Sequence, residues 1–240
     1  MNRIDLCGSW TMTGADGARI ASEVPGSVLK TLLDNGKIVD PFDGMNEYAV
    51  CDVLRQEWRF ERSFEVTVEM LSSTHADLVF EGLDTLATVA LNGQTVAQTD
   101  NMHRTWRIPI KNLLQTGTNT LTVRFSPALD YVEKAAKENP DVTYTGGSEL
   151  LWTGALRKAH YMFGWDWGPR LPDAGIWRKV FIECYDARLE DIRVHQIHEP
   201  NLVTLEIGVT TEAKEVSLEL SDPEGRTIAT ANGAPDGVLR

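Results

Sequence analysis

The chain has 240 residues, 42% of them hydrophobic, with 19 Gly and 10 Pro, enough apolar material for a substantial core and too much for a disordered chain. Its 23 basic and 35 acidic residues leave a net charge of −12, so it lacks the basic field that displaces counterions from phosphates, and nucleic acid is excluded as a partner. No stretch approaches the roughly 20 apolar residues that span a bilayer, and Asn2, Arg3 and Asp5 stand where an export signal has its apolar core; no membrane partner and a cytoplasmic location are expected.

In chain order, Ser27 is placed to cap a short helix carrying Val28, Leu29, Leu32 and Leu33. Asn35-Gly36 closes it, because glycine accepts the left-handed conformation after a last turn. Thr88–Leu91, Asn92-Gly93 and Gln94–Val96 predict a β-hairpin, since the central pair tolerates positive φ. Leu121, Val123 and Phe125 alternate with Thr122 and Arg124, the period of a half-buried strand. Ser126-Pro127 opens a second helix from Ala128 to Glu138, which Asn139-Pro140 stops. Gly146-Gly147 lacks the Lys-Ser/Thr of a phosphate loop and reads as a flexible connection. Beyond Leu189 the alternation resumes through Ile192, Val194, Leu205, Ile207, Val209, Val216, Leu218 and Leu220. Turns fall at Glu199-Pro200-Asn201 and Asp222-Pro223-Glu224-Gly225.

Many short strands, few helices and no βαβ alternation predict an all-β fold, with a jelly-roll β-sandwich over residues 1–187 and a second β unit over 188–240. An immunoglobulin-like sandwich takes about 100 residues. The second unit is therefore expected to be the incomplete start of one, and the chain a piece of a longer protein.

Cys7, Cys51 and Cys184 are odd in number and widely spaced, so they read as reduced structural thiols, not as zinc or redox sites. His195 and His198 are three apart in an alternating segment, which puts them on opposite strand faces and argues against a metal. His75, His103 and His160 stand alone without a Gly-x-Ser-x-Gly elbow, so a serine hydrolase is unsupported. No cofactor is expected.

Three of the seven tryptophans, Trp165, Trp167 and Trp177, fall in one run from Phe163 to Arg178. Gly164, Gly168 and Pro169 flank the first two, predicting a shaped loop that presents Asp166 between aromatic faces. That combination suits a sugar, whose CH face packs on an aromatic ring and whose hydroxyls donate to a carboxylate. The alternative is plain: the tryptophans fill the core and Asp166 caps a turn.

Phe163-Gly-Trp-Asp-Trp-Gly-Pro169 and Gly175-Ile-Trp-Arg178 are accompanied, in order, by five earlier blocks: Val24-Pro-Gly-Ser-Val28, Asp40-Pro-Phe-Asp-Gly-Met-Asn-Glu47, Trp58-Arg-Phe60, Phe80-Glu-Gly-Leu-Asp-Thr85 and Leu91-Asn-Gly93. Together they resemble the N-terminal part of family-2 glycoside hydrolases, specifically β-mannosidases, over residues 6–186. The resemblance implies a galactose-binding-like jelly roll, then an immunoglobulin-like domain, then a (β/α)₈ barrel that carries both catalytic glutamates. No catalytic residue is therefore assigned to this chain, which alone should be inactive. Its implied partners are a terminal β-mannoside and the protein's own C-terminal barrel, hydrolysis proceeding with retention. Residue by residue, the resemblance gives Asp166 hydroxyls of the −1 sugar and Trp165 a wall of that subsite, with Trp167 a further substrate contact or a brace for the loop. Arg157, in Arg157-Lys158-Ala159-His160-Tyr161, is expected to form an ordinary salt bridge. Two other readings stand beside this one: another family-2 specificity, galactoside or glucuronide, and a free-standing carbohydrate-binding module.

Overall fold

A computed structural model describes residues 2–142, 152–234 and the backbone of 238–239. The expected Gly146-Gly147 connection lies outside the described residues. The chain divides into two compact units, residues 1–184 and 185–240.

The first unit contains strands β1 (Asn2–Asp5), β2 (Gly8–Thr13), β3 (Arg19–Val24), β4 (Trp58–Val66), β5 (His75–Phe80), β6 (Ala87–Leu91), β7 (Gln94–Thr99), β8 (Trp106–Pro109), β9 (Gly117–Phe125), β10 (Phe163–Trp165), β11 (Gly168–Arg170) and β12 (Val180–Tyr185). Six of them form one antiparallel sheet in the order β3-β2-β4-β9-β6-β7, and four form another in the order β1-β12-β5-β8. The inner faces of both sheets meet in a single apolar core. Phe60, Val89, Leu121, Val123 and Phe125 enter from the first sheet, and Leu78, Phe80, Ile108, Val180 and Ile182 from the second. Phe60 and Phe125 pack edge to face at 5.7 Å, an arrangement that aligns ring edge with ring face. The β-sandwich is thus what the period-2 pattern predicts: Leu121, Val123 and Phe125 are buried while Arg124 is exposed.

Strand β12 departs from simple alternation, being buried at all six positions. Val180, Ile182 and Cys184 face the core. On the other face, the Arg3 guanidinium lies 3.4 Å from the Phe181 ring centroid and Arg107 Nη1 lies 2.5 Å from Glu183 Oε2. Long side chains from β1 and β8 thus cover a surface that would otherwise be wet.

The predicted local elements stand where the residues place them. The hairpin β6–β7 turns at Asn92 (φ 51°) and Gly93 (φ 83°). The helix Val28–Asp34 is capped by Ser27, whose hydroxyl accepts from Lys30 N, and Gly36 follows it at φ 62°. The second helix runs Ala128–Glu138 and buries Ala128, Leu129 and Val132. All three cysteines are free thiols.

In the second unit, β13 (Leu189–Glu199) pairs antiparallel with β14 (Leu202–Thr211) across Pro200 and Asn201. Strand β14 also pairs with the short β17 (Val238–Leu239), while β15 (Val216–Ser221) pairs with β16 (Thr227–Gly233) across the turn that holds Gly225 at φ 83°. His195 and His198 are both exposed on β13, and the described residues contain no cluster able to hold a metal ion.

Candidate functional site

The loop predicted at Trp165–Trp167 is a tight hairpin. Phe163 pairs with Arg170 and Trp165 with Gly168, so Asp166 and Trp167 are the two turn residues. Its feet are anchored in apolar clusters. Phe163 is fully buried among Ala128, Leu129, Val132 and Leu156, and Leu171 packs with Leu29, Val50 and Leu54. Gly164 is required between them: it sits at φ 95°, and a Cβ there would lie 2.4 Å from Arg170 Cγ.

The tip carries no such burial. Trp165 is 39% exposed and Trp167 81%, with their ring centroids 5.3 Å apart and their planes inclined at 57°. Asp166 is exposed, and among the described residues its carboxylate has neither a hydrogen bond nor an ion pair. These two tryptophans do not fill the core, and Asp166 caps nothing. Trp177 differs, being half-buried with its ring against Gly82 and the Arg178 guanidinium 4.1 Å from its centroid.

Facing the hairpin is the segment from Asp40 to Tyr48. Asp40 folds it back on itself: its carboxylate accepts from Phe42 N at 2.9 Å and its carbonyl from Asn46 Nδ2 at 2.9 Å. Between segment and hairpin lies a cleft of about 420 Å³, whose walls include Phe42, Glu47, Tyr48, Trp165, Asp166 and Trp167. Glu47 bridges it, accepting from Arg170 N at 2.7 Å and lying 3.5 Å from Arg170 Nη2. The Arg170 guanidinium sits 4.7 Å from the Tyr48 ring centroid.

Lys158, five residues before the hairpin in the chain, is fully buried. Its ammonium donates to Asp84 Oδ1 and to the Asp173 carbonyl, both at 2.6 Å. Burial pulls the Lys158 pKa down from its ordinary value, against the opposing field of Asp84. Asp84 also pairs through its backbone with Gly175, and the Asp173 carboxylate accepts from Leu29 N at 3.1 Å. The segment leaving the hairpin is thereby stitched to the strand β5–β6 connection and to the start of the Val28–Asp34 helix.

Of the sequence-predicted site residues, the structure brings Asp166, Trp165 and Trp167 to one exposed tip on one cleft. Arg157 is exposed and makes no ion pair among the described residues, whereas its neighbour Lys158 takes a buried pairing with Asp84. An extended segment turns adjacent residues to opposite sides, and here the inward side belongs to Lys158. Sequence reasoning also missed Glu47 and Arg170, although Glu47 ends one of the quoted blocks and Arg170 directly follows another.

The two-sheet antiparallel sandwich is the fold of a galactose-binding-like domain. Residues 10–178 match the family model described as "Glycosyl hydrolase 2 galactose-binding domain-like", and the chain belongs to that family. It is 36% identical over 223 residues to Beta-mannosidase B of Emericella nidulans, covering 88% of this chain and 26% of that protein. With the Beta-mannosidase of Mus musculus it shares 31% over 191 residues, 75% of this chain and 21% of the other. The crystal structure of Beta-D-Mannosidase from Dictyoglomus thermophilum superposes at a TM-score of 0.88 and 32% identity, covering 99% of this chain and 30% of that one. A beta-D-Glucuronidase structure from the same organism, at a TM-score of 0.67 and 17% identity over 99% of this chain and 37% of its own, shares the fold. The chain thus spans about a quarter of the length of the relatives it matches.

Proposed function

We propose that this chain is the sugar-binding portion of a β-mannosidase-type retaining glycoside hydrolase, lending one wall of the pocket for the terminal β-mannoside. The observation that carries this is the Asp166 carboxylate, exposed and unpaired among the described residues, held between Trp165 and Trp167 on a hairpin with buried feet. A carboxylate left without a protein donor is ready to accept hydroxyl donors, and the indole faces offer the apolar surface that a pyranose ring covers.

The two carboxyl groups of retaining hydrolysis belong, on this reading, to polypeptide outside this chain. One protonates the leaving oxygen and later activates water, and the other forms the glycosyl-enzyme intermediate. Asp166 contributes by binding the ring hydroxyls more strongly as the sugar flattens toward the oxocarbenium-like transition state, which raises kcat and not only affinity. The 240 residues alone bind mannose no tighter than about millimolar and do not turn it over, because one wall supplies few of the contacts that offset association entropy.

The test is turnover of the complete polypeptide on nitrophenyl β-mannoside, β-galactoside and β-glucuronide. Fastest turnover on the mannoside is expected. Preference for either of the other two overturns the specificity, and micromolar mannose binding by the 240 residues alone favours a free-standing binding module.

A further inference from the structure

We infer that Glu47 is a positioning residue for the proposed sugar site, acting through the Arg170 main chain to set the hairpin that carries Asp166; the inference rests on the function proposed above.

The hairpin cannot hold its own shape. Strands β10 and β11 have three residues each, and a two-stranded ribbon that short is marginal in water. Its tip side chains are exposed, so burial does not restrain them. Phe163 and Leu171 anchor the two feet, but neither cluster reaches the tip or sets the angle at which the ribbon stands. Something polar must fix that angle from the side.

Glu47 does so. Its side chain is 20% exposed, far less than an ordinary surface acid, and both of its oxygens point at Arg170. The short bond goes to Arg170 N, a main-chain atom at the base of the ribbon, so the restraint does not depend on a flexible side chain. The Arg170 side chain closes the arrangement, its stem against Gly164 and its guanidinium on Tyr48, beside Glu47. Glu47 is itself held in place, because Asp40 folds its segment and its carbonyl accepts from Cys51 Sγ at 3.3 Å. With its oxygens engaged on Arg170, Glu47 orients the binding acid and is not a second sugar ligand.

The experiment is a double-mutant cycle on the complete polypeptide, read as kcat/KM on nitrophenyl β-mannoside. Glu47→Ala should lower kcat/KM at least about tenfold, the scale of one hydrogen bond to a charged group. In an Asp166→Ala background the same change should cost less than about twofold, because the acid it orients is already gone. Glu47→Gln keeps an oxygen for Arg170 N and should recover kcat/KM to within about threefold. Equal losses in both backgrounds make Glu47 merely structural and overturn the inference, as does no loss in the Glu47→Ala single variant. Amide hydrogen exchange of the complete polypeptide supplies a readout independent of turnover. Glu47→Ala should speed exchange in peptides covering 163–170 by at least about tenfold while those of β4 and β9 stay unchanged. If the wild type does not hydrolyse the mannoside, the functional reading fails, and the exchange result alone decides the clamp: unchanged protection of 163–170 overturns it.

Discussion

Trp58 and Trp167 are the same residue type in one sandwich, and they do opposite work. Trp58 is 7% exposed, and its indole N–H donates to Val53 O at 3.1 Å; Trp10, 4% exposed, donates to Leu6 O at 2.8 Å. Each core indole thus buries its body and satisfies its polar edge. Trp165 and Trp167 instead stand at the hairpin tip, 39% and 81% exposed, flanking an acid that has no hydrogen bond or ion pair among the described residues. Exposing two large aromatic side chains adds nothing to the core, so the difference separates what holds the fold from what the fold presents.

The comparison breaks most sharply at the interior. Trp58→Ala should cost about 3–5 kcal/mol in denaturant unfolding, the range for emptying a buried tryptophan site. A loss below about 1 kcal/mol would mean that the site collapses freely and the contrast with Trp167 is empty. Lys158→Met should cost about 3 kcal/mol or more, because it leaves Asp84 buried without its cation. The double variant Lys158→Met with Asp84→Leu should recover much of that loss, a sign of coupling that two independent sites would not show.

At the tip the sign of the comparison reverses. Asp166→Ala should change stability by less than about 1 kcal/mol while lowering kcat/KM of the complete polypeptide at least about a hundredfold. Unfolding with unchanged activity per folded molecule would make Asp166 structural. Trp167→Ala should leave unfolding within about 0.5 kcal/mol and raise KM roughly threefold to tenfold, the worth of one aromatic contact.

The smallest effect belongs to an exposed ion pair on the solvent side of the Ala128–Glu138 helix. Arg55 lies 2.7 Å from Glu133 and 3.1 Å from Asp130 on the outer face of the Ala128–Glu138 helix. The Arg55 hydrogen bond holds the Glu133 carboxyl below its ordinary pKa. A lowered folded-state value stabilises the protein above the unfolded carboxylate value, and that contribution fades as pH falls through the folded one. Solvent screens the pair, so Glu133→Gln should cost under about 1 kcal/mol at pH 7 and nothing at acid pH, which unfolding at both pH values checks.

Much of the frame was legible because its signals are local. The torsions of Asn92-Gly93, the Ser27 hydroxyl three residues before Lys30 N, and the proline that stops the Ala128–Glu138 helix each act within a few residues. The candidate acid was legible too, since few reasons place an aspartate between two tryptophans in a Gly- and Pro-rich run. Its supports were not. Glu47 meets Arg170 across 123 positions and Lys158 meets Asp84 across 74, and no spacing rule joins residues so far apart. Arg157 and Lys158 are adjacent cations in one short stretch, and only the packed sandwich shows that Lys158 is the one that faces inward.

The amino-acid order by itself determined the β-rich class, the turns and the two helices, and it singled out Asp166, Trp165 and Trp167 as candidates for a sugar contact. Torsional preference, side-chain period and chemical type are properties of short windows of chain, and they survive into any compact form that chain adopts. The tertiary structure alone decided that the Trp165–Trp167 run is a hairpin tip standing clear of the core, that Lys158 is sealed inside against Asp84, and that Glu47 meets the hairpin at Arg170. Burial and the pairing of distant charges depend on which surfaces the closing sheets bring together, and that is a property of the whole assembly of strands.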